Sequence, residues 1–278
     1  MILTAKAPAK INLSLDIVGT RDDGYHLIES VMQSISLCDT VTLQTGTNGL
    51  VITCDQQDVP CDESNTVYKA AVAFFEEVGL SVPLSIHIEK HIPSQAGLGG
   101  ASADAAAVLH LLNRLTGAEL DDKMLSKIGL SAGADVPFCV TGKTALCTGI
   151  GEIVAPIHSA AEFSLLIVKP DFGFDTPSMY KKYDQGTFPP KNNHAAVVQA
   201  LRAGDIHGLA EHVGNVFEDI ADDARIAAVR DALLKAGALG ACMSGSGSAV
   251  YGIFEHTPPA LTLPGCTVYS AKTEASSI

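Results

Sequence analysis

The chain has 278 residues, 47% of them hydrophobic and 18% charged, with a formal net charge of −13. That length can bury one large core or two modest ones, and so acidic a chain is excluded as a duplex binder, which needs a positive face, while a small anionic ligand needs only a few local donors. No basic segment leads into an uninterrupted apolar run at the start, and no stretch reads as a membrane span, so a cytoplasmic protein with neither nucleic-acid nor membrane partners is expected.

Residues 4–7 read as a short strand, followed by residues 11–17, where Ile11, Leu13, Leu15 and Ile17 alternate with Asn12, Ser14 and Asp16. That period of two predicts a half-buried strand with Asn12 on its polar face. Similar alternation predicts strands at 40–44 and Leu84–Glu89, with a further strand at Leu50–Cys54. Asn65 is placed to cap a helix carrying Val67, Ala71, Phe74 and Val78, which Gly79 ends. A second helix, 102–116, has a buried stripe of Ala105, Val108, Leu109, Leu112 and Leu115 and stops at Gly117. A third, 121–132, runs into Gly133, and strands are predicted at 144–147 and 163–168. After Pro170 come helices at 177–183, His194–Ala203, 206–213 and 224–236, then strands at 249–254 and 267–271. The sum is an α+β protein in two lobes, 1–158 and 159–278.

The seven cysteines sit in apolar contexts without a C-x-x-C pair and read as reduced core thiols. His207 and His212, five apart, have neither helical metal-ligand spacing and read as surface residues.

Between the strand ending near Lys90 and the helix starting near Ser102 lies Pro93-Ser94-Gln95-Ala96-Gly97-Leu98-Gly99-Gly100-Ala101-Ser102. Glycines here let the backbone approach an anion and aim its N–H groups at it, with the positive end of the following helix behind. A phosphate cradle is the function that follows. Gly142-Lys143-Thr144 imitates the end of a P-loop, but the first glycine of that motif would fall on Pro137. The loop also approaches a dinucleotide fingerprint, yet Ser102 stands where the third glycine belongs, which leaves a nicotinamide oxidoreductase as a poor alternative.

The segment from Pro93 through Gly97-Leu98-Gly99-Gly100 resembles the phosphate-binding motif of the galactose/homoserine/mevalonate/phosphomevalonate (GHMP) kinase superfamily. Two further segments resemble that family in its order: Lys6-Ala7-Pro8-Ala9-Lys10-Ile11-Asn12-Leu13, and Met243-Ser244-Gly245-Ser246-Gly247-Ser248. Arg21-Asp22-Asp23-Gly24-Tyr25-His26 and Gly133-Ala134-Asp135-Val136-Pro137-Phe138 are similar to the branch that acts on a cytidylyl methylerythritol.

The resemblance implies a two-lobed GHMP kinase fold. Its N-terminal lobe is like domain 2 of ribosomal protein S5, with an unusual left-handed β-α-β unit, and its C-terminal lobe is ferredoxin-like. It implies ATP as co-substrate with Mg2+, and a cytidylyl sugar alcohol as acceptor. Lys10 and Asp135 become the catalytic pair, Asp135 taking the proton of the acceptor hydroxyl and Lys10 stabilising developing charge. Asn12 would orient that hydroxyl. Tyr25, His26, Thr176 and Tyr180 would hold the acceptor, the two tyrosines sandwiching cytosine, although by residue type alone each reads as packing. Asn65, Lys90 and Pro93 to Ala103 would contact ATP. Many members carry adjacent serines after Gly-Leu-Gly where this chain has Gly100-Ala101 before Ser102, so no protein ligand of Mg2+ is named. A mevalonate or homoserine kinase is the runner-up, and a non-catalytic ligand sensor stands behind it; the nucleobase segment Gly24-Tyr25-His26 favours the cytidylyl acceptor. A monomer or weak homodimer is expected.

Overall fold

The computed structural model describes residues 1–273. In chain order the first part contains β1 (Ile2–Thr20), β2 (His26–Thr45), β3 (Leu50–Cys54), α1 (Thr66–Val78), β4 (Leu84–Glu89), α2 (Gly100–Thr116), α3 (Asp122–Leu130), α4 (Val136–Thr141), β5 (Thr144–Thr148) and β6 (Ile153–Pro156). The second contains β7 (Ser164–Pro170), α5 (Thr176–Gln185), α6 (His194–Ala203), α7 (Ile206–His212), β8 (Gly214–Asn215), α8 (Val216–Ala221), α9 (Ala224–Lys235), β9 (Gly240–Met243), β10 (Val250–Phe254) and β11 (Cys266–Lys272).

Two sheets organise these elements into the expected two-lobed α+β architecture. The first runs β3-β4-β2-β1-β8, with β5 on β2 and β6 on β5. β3 and β4 are parallel and joined through α1, a β-α-β unit built into an otherwise largely antiparallel sheet. The second sheet, β11-β7-β10-β9, is antiparallel throughout. No helix among the described residues is long and apolar enough to cross a membrane.

The two strands predicted at 4–7 and 11–17 are one, β1, paired with β2 over nearly its whole length. A register shift between Pro8 and Lys10 hid the continuity, because it breaks the period-two pattern there. It also turns the Lys10 N–H away from β2, to donate to the Leu98 carbonyl at 2.9 Å. β2 starts at His26, well before the predicted 40–44.

The polar face of β1 is a second correction. The strand is buried on both faces and not half-buried: Asn12, Ser14 and Asp16 are all buried, at no more than 2% exposure. The second lobe covers them: Tyr251 donates its hydroxyl to the Asn12 carbonyl at 2.9 Å, and Asp16 accepts from the backbone N–H groups of Lys191 and Asn192, each at 2.7 Å. β8 then adds to β1 in parallel at Ser14 and Leu15, so a strand of the first sheet comes from the second half of the chain. The short α4, α8, β6 and β9 were not predicted, being too brief to show a period. Alanines at 103 and 105–107 line the buried face of α2, which packs on β1 and β2 and brings the helix start close to the sheet.

Candidate active site

Lys10 leaves the bulge of β1 with its side chain only 4% exposed and its ammonium 3.5 Å from Asp135 Oδ2. The same Nζ donates to Asn12 Oδ1 at 2.7 Å. Asn12 is fixed in turn, because its Nδ2 donates to Ser30 Oγ at 2.7 Å and that hydroxyl donates to the Ser14 carbonyl at 2.7 Å. Asp135 occupies the N-cap position of α4, yet its side chain makes no capping bond. Its carboxylate is left free to face Lys10 and remains about a third exposed, at 31%. Burial, helped by the negative Asp135 nearby, pushes the Cys147 thiol up to about 12, so it takes no part as a nucleophile.

The glycine loop arrives from the other side. Gly97 and Gly99 hold φ of 73° and 70°, in the left-handed region, and neither tolerates a side chain. A Cβ at Gly97 would lie 1.9 Å from the Ser244 carbonyl oxygen, and one at Gly99 2.9 Å from Lys10 Cγ. Gly99 caps α2 without any side-chain bond, so the first-turn N–H groups of a 17-residue helix are available to an anion. The third sequence motif closes over this loop: Ser244 Oγ donates to the Gly97 carbonyl at 2.8 Å and receives the Asn12 N–H at 3.3 Å. Asn215, wholly buried, donates to the carbonyls of Met243 and Gly245 at 2.8 and 2.7 Å and so ties that motif to β8.

Two predicted nucleotide contacts have their polar atoms engaged elsewhere. Asn65 caps α1 by accepting from the Val67 N–H at 2.8 Å and donates to the Pro60 carbonyl at 2.5 Å. The Lys90 ammonium is held between Asp39 and Asp104, the latter at 2.8 Å. Burial works against the Lys90 charge, but Asp104 and Asp39 outweigh it and hold its pKa above the ordinary lysine value. Asp104 is pushed up to about 7, mainly by burial, which Lys90 only partly offsets; its Oδ1 has no hydrogen-bond partner. Lys90 and Asp104 meet where β2, the end of β4 and the first turns of α2 come together, and both line the loop cavity along with Asn65.

Two cavities meet at the glycine loop. One, of about 710 Å3, is lined by the loop, the Asn65 region and residues 171–173. The other, of about 900 Å3, is lined by Lys10, Asn12, Tyr25, His26, Asp135 and α5. Gln95, Gly97, Gly99 and Ser102 line both. Lys10 and Asp135 therefore stand on one side of a passage whose other side can bind phosphate.

The aromatic end of the larger cavity adds His26 to the two expected tyrosines. Beyond lining the cavity, the Tyr180 ring stacks on His26, centroids 4.7 Å apart at 18°, and Phe217 packs edge-on at 5.1 Å. Burial raises the Tyr180 hydroxyl to about 12, with Asp135 adding to the effect. Tyr25, at 61% exposure, is the ring free to cover a base. It sits in the tight turn joining β1 to β2, where Gly24 has a φ of 87° and the Arg21 N–H donates to the Tyr25 carbonyl at 2.7 Å. Thr176 bonds Ser246 at 2.7 Å, joining α5 to the third motif.

Sequence reasoning missed Asp184, Lys181, Asn215 and the two carboxylates that hold Lys90, Asp39 and Asp104. Asp184 carried a readable sign: it follows Thr176 and Tyr180 at four-residue spacing on one helix, and all three line the larger cavity. Asn215, Asp39 and Asp104 carry no local pattern, because their partners come from distant parts of the chain.

Comparison with known proteins agrees with this arrangement. Residues 65–143 match the GHMP kinases N terminal domain, and residues 197–262 the GHMP kinases C terminal domain. The chain is 42% identical over 252 residues to the 4-diphosphocytidyl-2-C-methyl-D-erythritol kinase of Clostridium kluyveri, covering 90% of each. It superposes on a crystal structure of 4-(cytidine 5'-diphospho)-2C-methyl-D-erythritol kinase with a TM-score of 0.80 and 29% identity, over 99% of this chain and 100% of that one. The homoserine kinase of Cytophaga hutchinsonii, 21% identical with a TM-score of 0.71 over 91% of this chain and 85% of its own, shares the fold.

Proposed function

The chain belongs to the GHMP kinase family, in the branch of the 4-diphosphocytidyl-2-C-methyl-D-erythritol kinases, and we propose that it phosphorylates the 2-hydroxyl of 4-diphosphocytidyl-2-C-methyl-D-erythritol with ATP, in the non-mevalonate route to isoprenoid precursors. The observation that carries this reading is the junction of the two cavities, where a phosphate cradle faces the Lys10–Asp135 pair at 3.5 Å.

ATP lies in the smaller cavity, its phosphates on the backbone N–H groups of the loop and the start of α2. The acceptor lies in the larger one. Its base rests between Tyr25 and the His26–Tyr180 stack, and its diphosphate passes Lys181. The 2-hydroxyl reaches Asp135, which takes the proton as the oxygen attacks the γ-phosphorus; the new O–P bond forms as the bond to the β-phosphate oxygen breaks and ADP leaves. Lys10 steadies the negative charge that builds on the acceptor and phosphoryl oxygens, and Asn12 keeps the ammonium in place.

Among the described residues no group of three or more His, Cys, Asp or Glu side chains is placed to hold a metal. The Ser102 hydroxyl, from a residue that lines both cavities, would hold Mg2+ together with the phosphates of ATP. Bound there, Mg2+ supplies neutralisation of the triphosphate charge. The reaction takes place in the cytoplasm on two small-molecule partners.

The test is a phosphorylation assay against the cytidylyl sugar alcohol, mevalonate and homoserine. Turnover confined to the first is expected. Preferred turnover of mevalonate or homoserine would replace this assignment with another activity of the same family.

A further inference from the structure

His26 is locked more firmly than a residue that merely lines a cavity needs to be. Its ring stacks on Tyr180 and meets the edge of Tyr183 at 5.6 Å and 87°, and Tyr183 is itself backed by Phe188. Its Nε2 lies 2.7 Å from Asp184 Oδ1, and its side chain is only 9% exposed. Asp184 and Tyr180 are one turn apart on α5, so a single helix provides both the surface under the ring and the partner at its edge.

The identity of that partner fixes the ring's hydrogen. A carboxylate has no hydrogen to give, so in a neutral imidazole Nε2 carries the hydrogen and Nδ1 is left with a lone pair. No group among the described residues bonds Nδ1, and His26 lines the acceptor cavity. An acceptor atom at that place matches a base presenting an exocyclic amine and opposes one presenting a carbonyl. Cytosine and uracil differ in this group.

We infer that Asp184 is a positioning residue for nucleobase choice: by holding the hydrogen on His26 Nε2, it makes Nδ1 an acceptor that favours a cytidylyl over a uridylyl sugar alcohol diphosphate. This rests on the kinase activity proposed above. Asp184 lines the same cavity as His26, and the role inferred for it is exerted through the imidazole it holds. Removing it lets the imidazole take either tautomer, which weakens the contact with cytosine and relieves the opposition to uracil.

The experiment measures steady-state phosphorylation at pH 8 of the cytidylyl and uridylyl methylerythritol diphosphates by the wild type, Asp184→Ala, Asp184→Asn and Asp184→Glu. In Asp184→Ala the KM for the cytidylyl acceptor should rise about five- to tenfold, with kcat and the KM for ATP nearly unchanged and the cytidylyl preference sharply reduced. Asp184→Asn, whose amide can bond either tautomer, should lose preference with a smaller rise in KM. Asp184→Glu should recover both. An unchanged preference in Asp184→Ala, or an equal loss for both acceptors, overturns the inference and leaves the kinase assignment standing. So does a wild type that uses both acceptors equally well. A folding defect would show as a changed KM for ATP in all three variants, and recovery by Asp184→Glu alone rules it out. A wild type inactive on the cytidylyl acceptor removes the assignment and the inference together.

Discussion

Lys10 Nζ lies 3.5 Å from Asp135 Oδ2 while it donates to Asn12 Oδ1 at 2.7 Å. The nearer contact is the hydrogen bond within β1, and the longer one leaves Asp135 oriented toward the ammonium but not closed against it. A carboxylate held this way can accept a proton without first breaking a tight ion pair. In the function proposed above Asp135 is the general base and Lys10 its electrostatic partner, an assignment with direct consequences.

Replacing Asp135 with Asn removes the proton acceptor but keeps the shape of the α4 start. Turnover should fall by about 10²- to 10⁴-fold, while ATP binding stays within about twofold because the carboxylate faces the acceptor cavity. Steady-state kinetics together with calorimetric titration of ATP separates the two effects. Near-normal kcat in the folded variant would remove Asp135 from the mechanism.

Gly99→Val should damage both cavities at once. The residue holds a φ of 70°, and a Cβ there would meet Lys10 Cγ at 2.9 Å, so a branched side chain strains the backbone and displaces the Lys10 stem. A stability loss of roughly 1–2 kcal/mol from the left-handed backbone is expected. ATP affinity and kcat should both drop, read by thermal denaturation and by turnover. A variant with wild-type ATP affinity would contradict the cradle.

Asp104 gives the metal-free, nucleotide-free protein a pH signature. Burial raises its carboxyl from 3.8 to about 7, so between those values the folded chain holds a proton that the unfolded chain has released. Stability from this group is therefore full at the acid end, falls as pH rises from about 4 to about 7, and is level beyond. Asp104→Asn lacks the term. In urea unfolding, the stability of the variant relative to wild type should rise between pH 4.5 and 7.5. A difference that does not change with pH would mean that Lys90 keeps Asp104 ionised throughout.

The tyrosines of the acceptor cavity should behave unequally. Tyr25→Ala removes an exposed stacking face and should cost about 1–3 kcal/mol of acceptor binding, with ATP binding unaffected. Tyr180→Ala should cost more, because the ring also supports His26 and packs on Phe217. Binding titrations with the cytidylyl acceptor test this ranking. Equal losses would restore the symmetric sandwich first expected.

How much of this was readable beforehand follows from where each residue's partners lie. The glycine loop has its own turn chemistry, and helices such as α1 and α2 carry capping residues and full apolar stripes, so local reasoning reached them, whereas Lys10 and Asp135 were reached through the family resemblance of the motifs that hold them. The burial of Asn12, Ser14 and Asp16 depends on Tyr251, Lys191 and Asn192, which belong to the other lobe, and period two describes only one strand. The Tyr180–His26 stack joins α5 to the β1–β2 turn, so neither segment shows it alone. The ion pairs of Lys90 carry no local sign, because its two carboxylates, Asp39 and Asp104, come from β2 and α2.

The central claim, that the two cavities deliver the γ-phosphoryl of ATP to the 2-hydroxyl of 4-diphosphocytidyl-2-C-methyl-D-erythritol, is tested most directly by phosphorus NMR of the product. The carbon bearing that hydroxyl carries a methyl group and no hydrogen, so the new phosphomonoester should give a resonance without three-bond coupling to a proton, with one ADP formed per product. A monoester signal split by neighbouring protons would place the phosphate on another hydroxyl, and ADP release with only inorganic phosphate would show no transfer; either result contradicts the account.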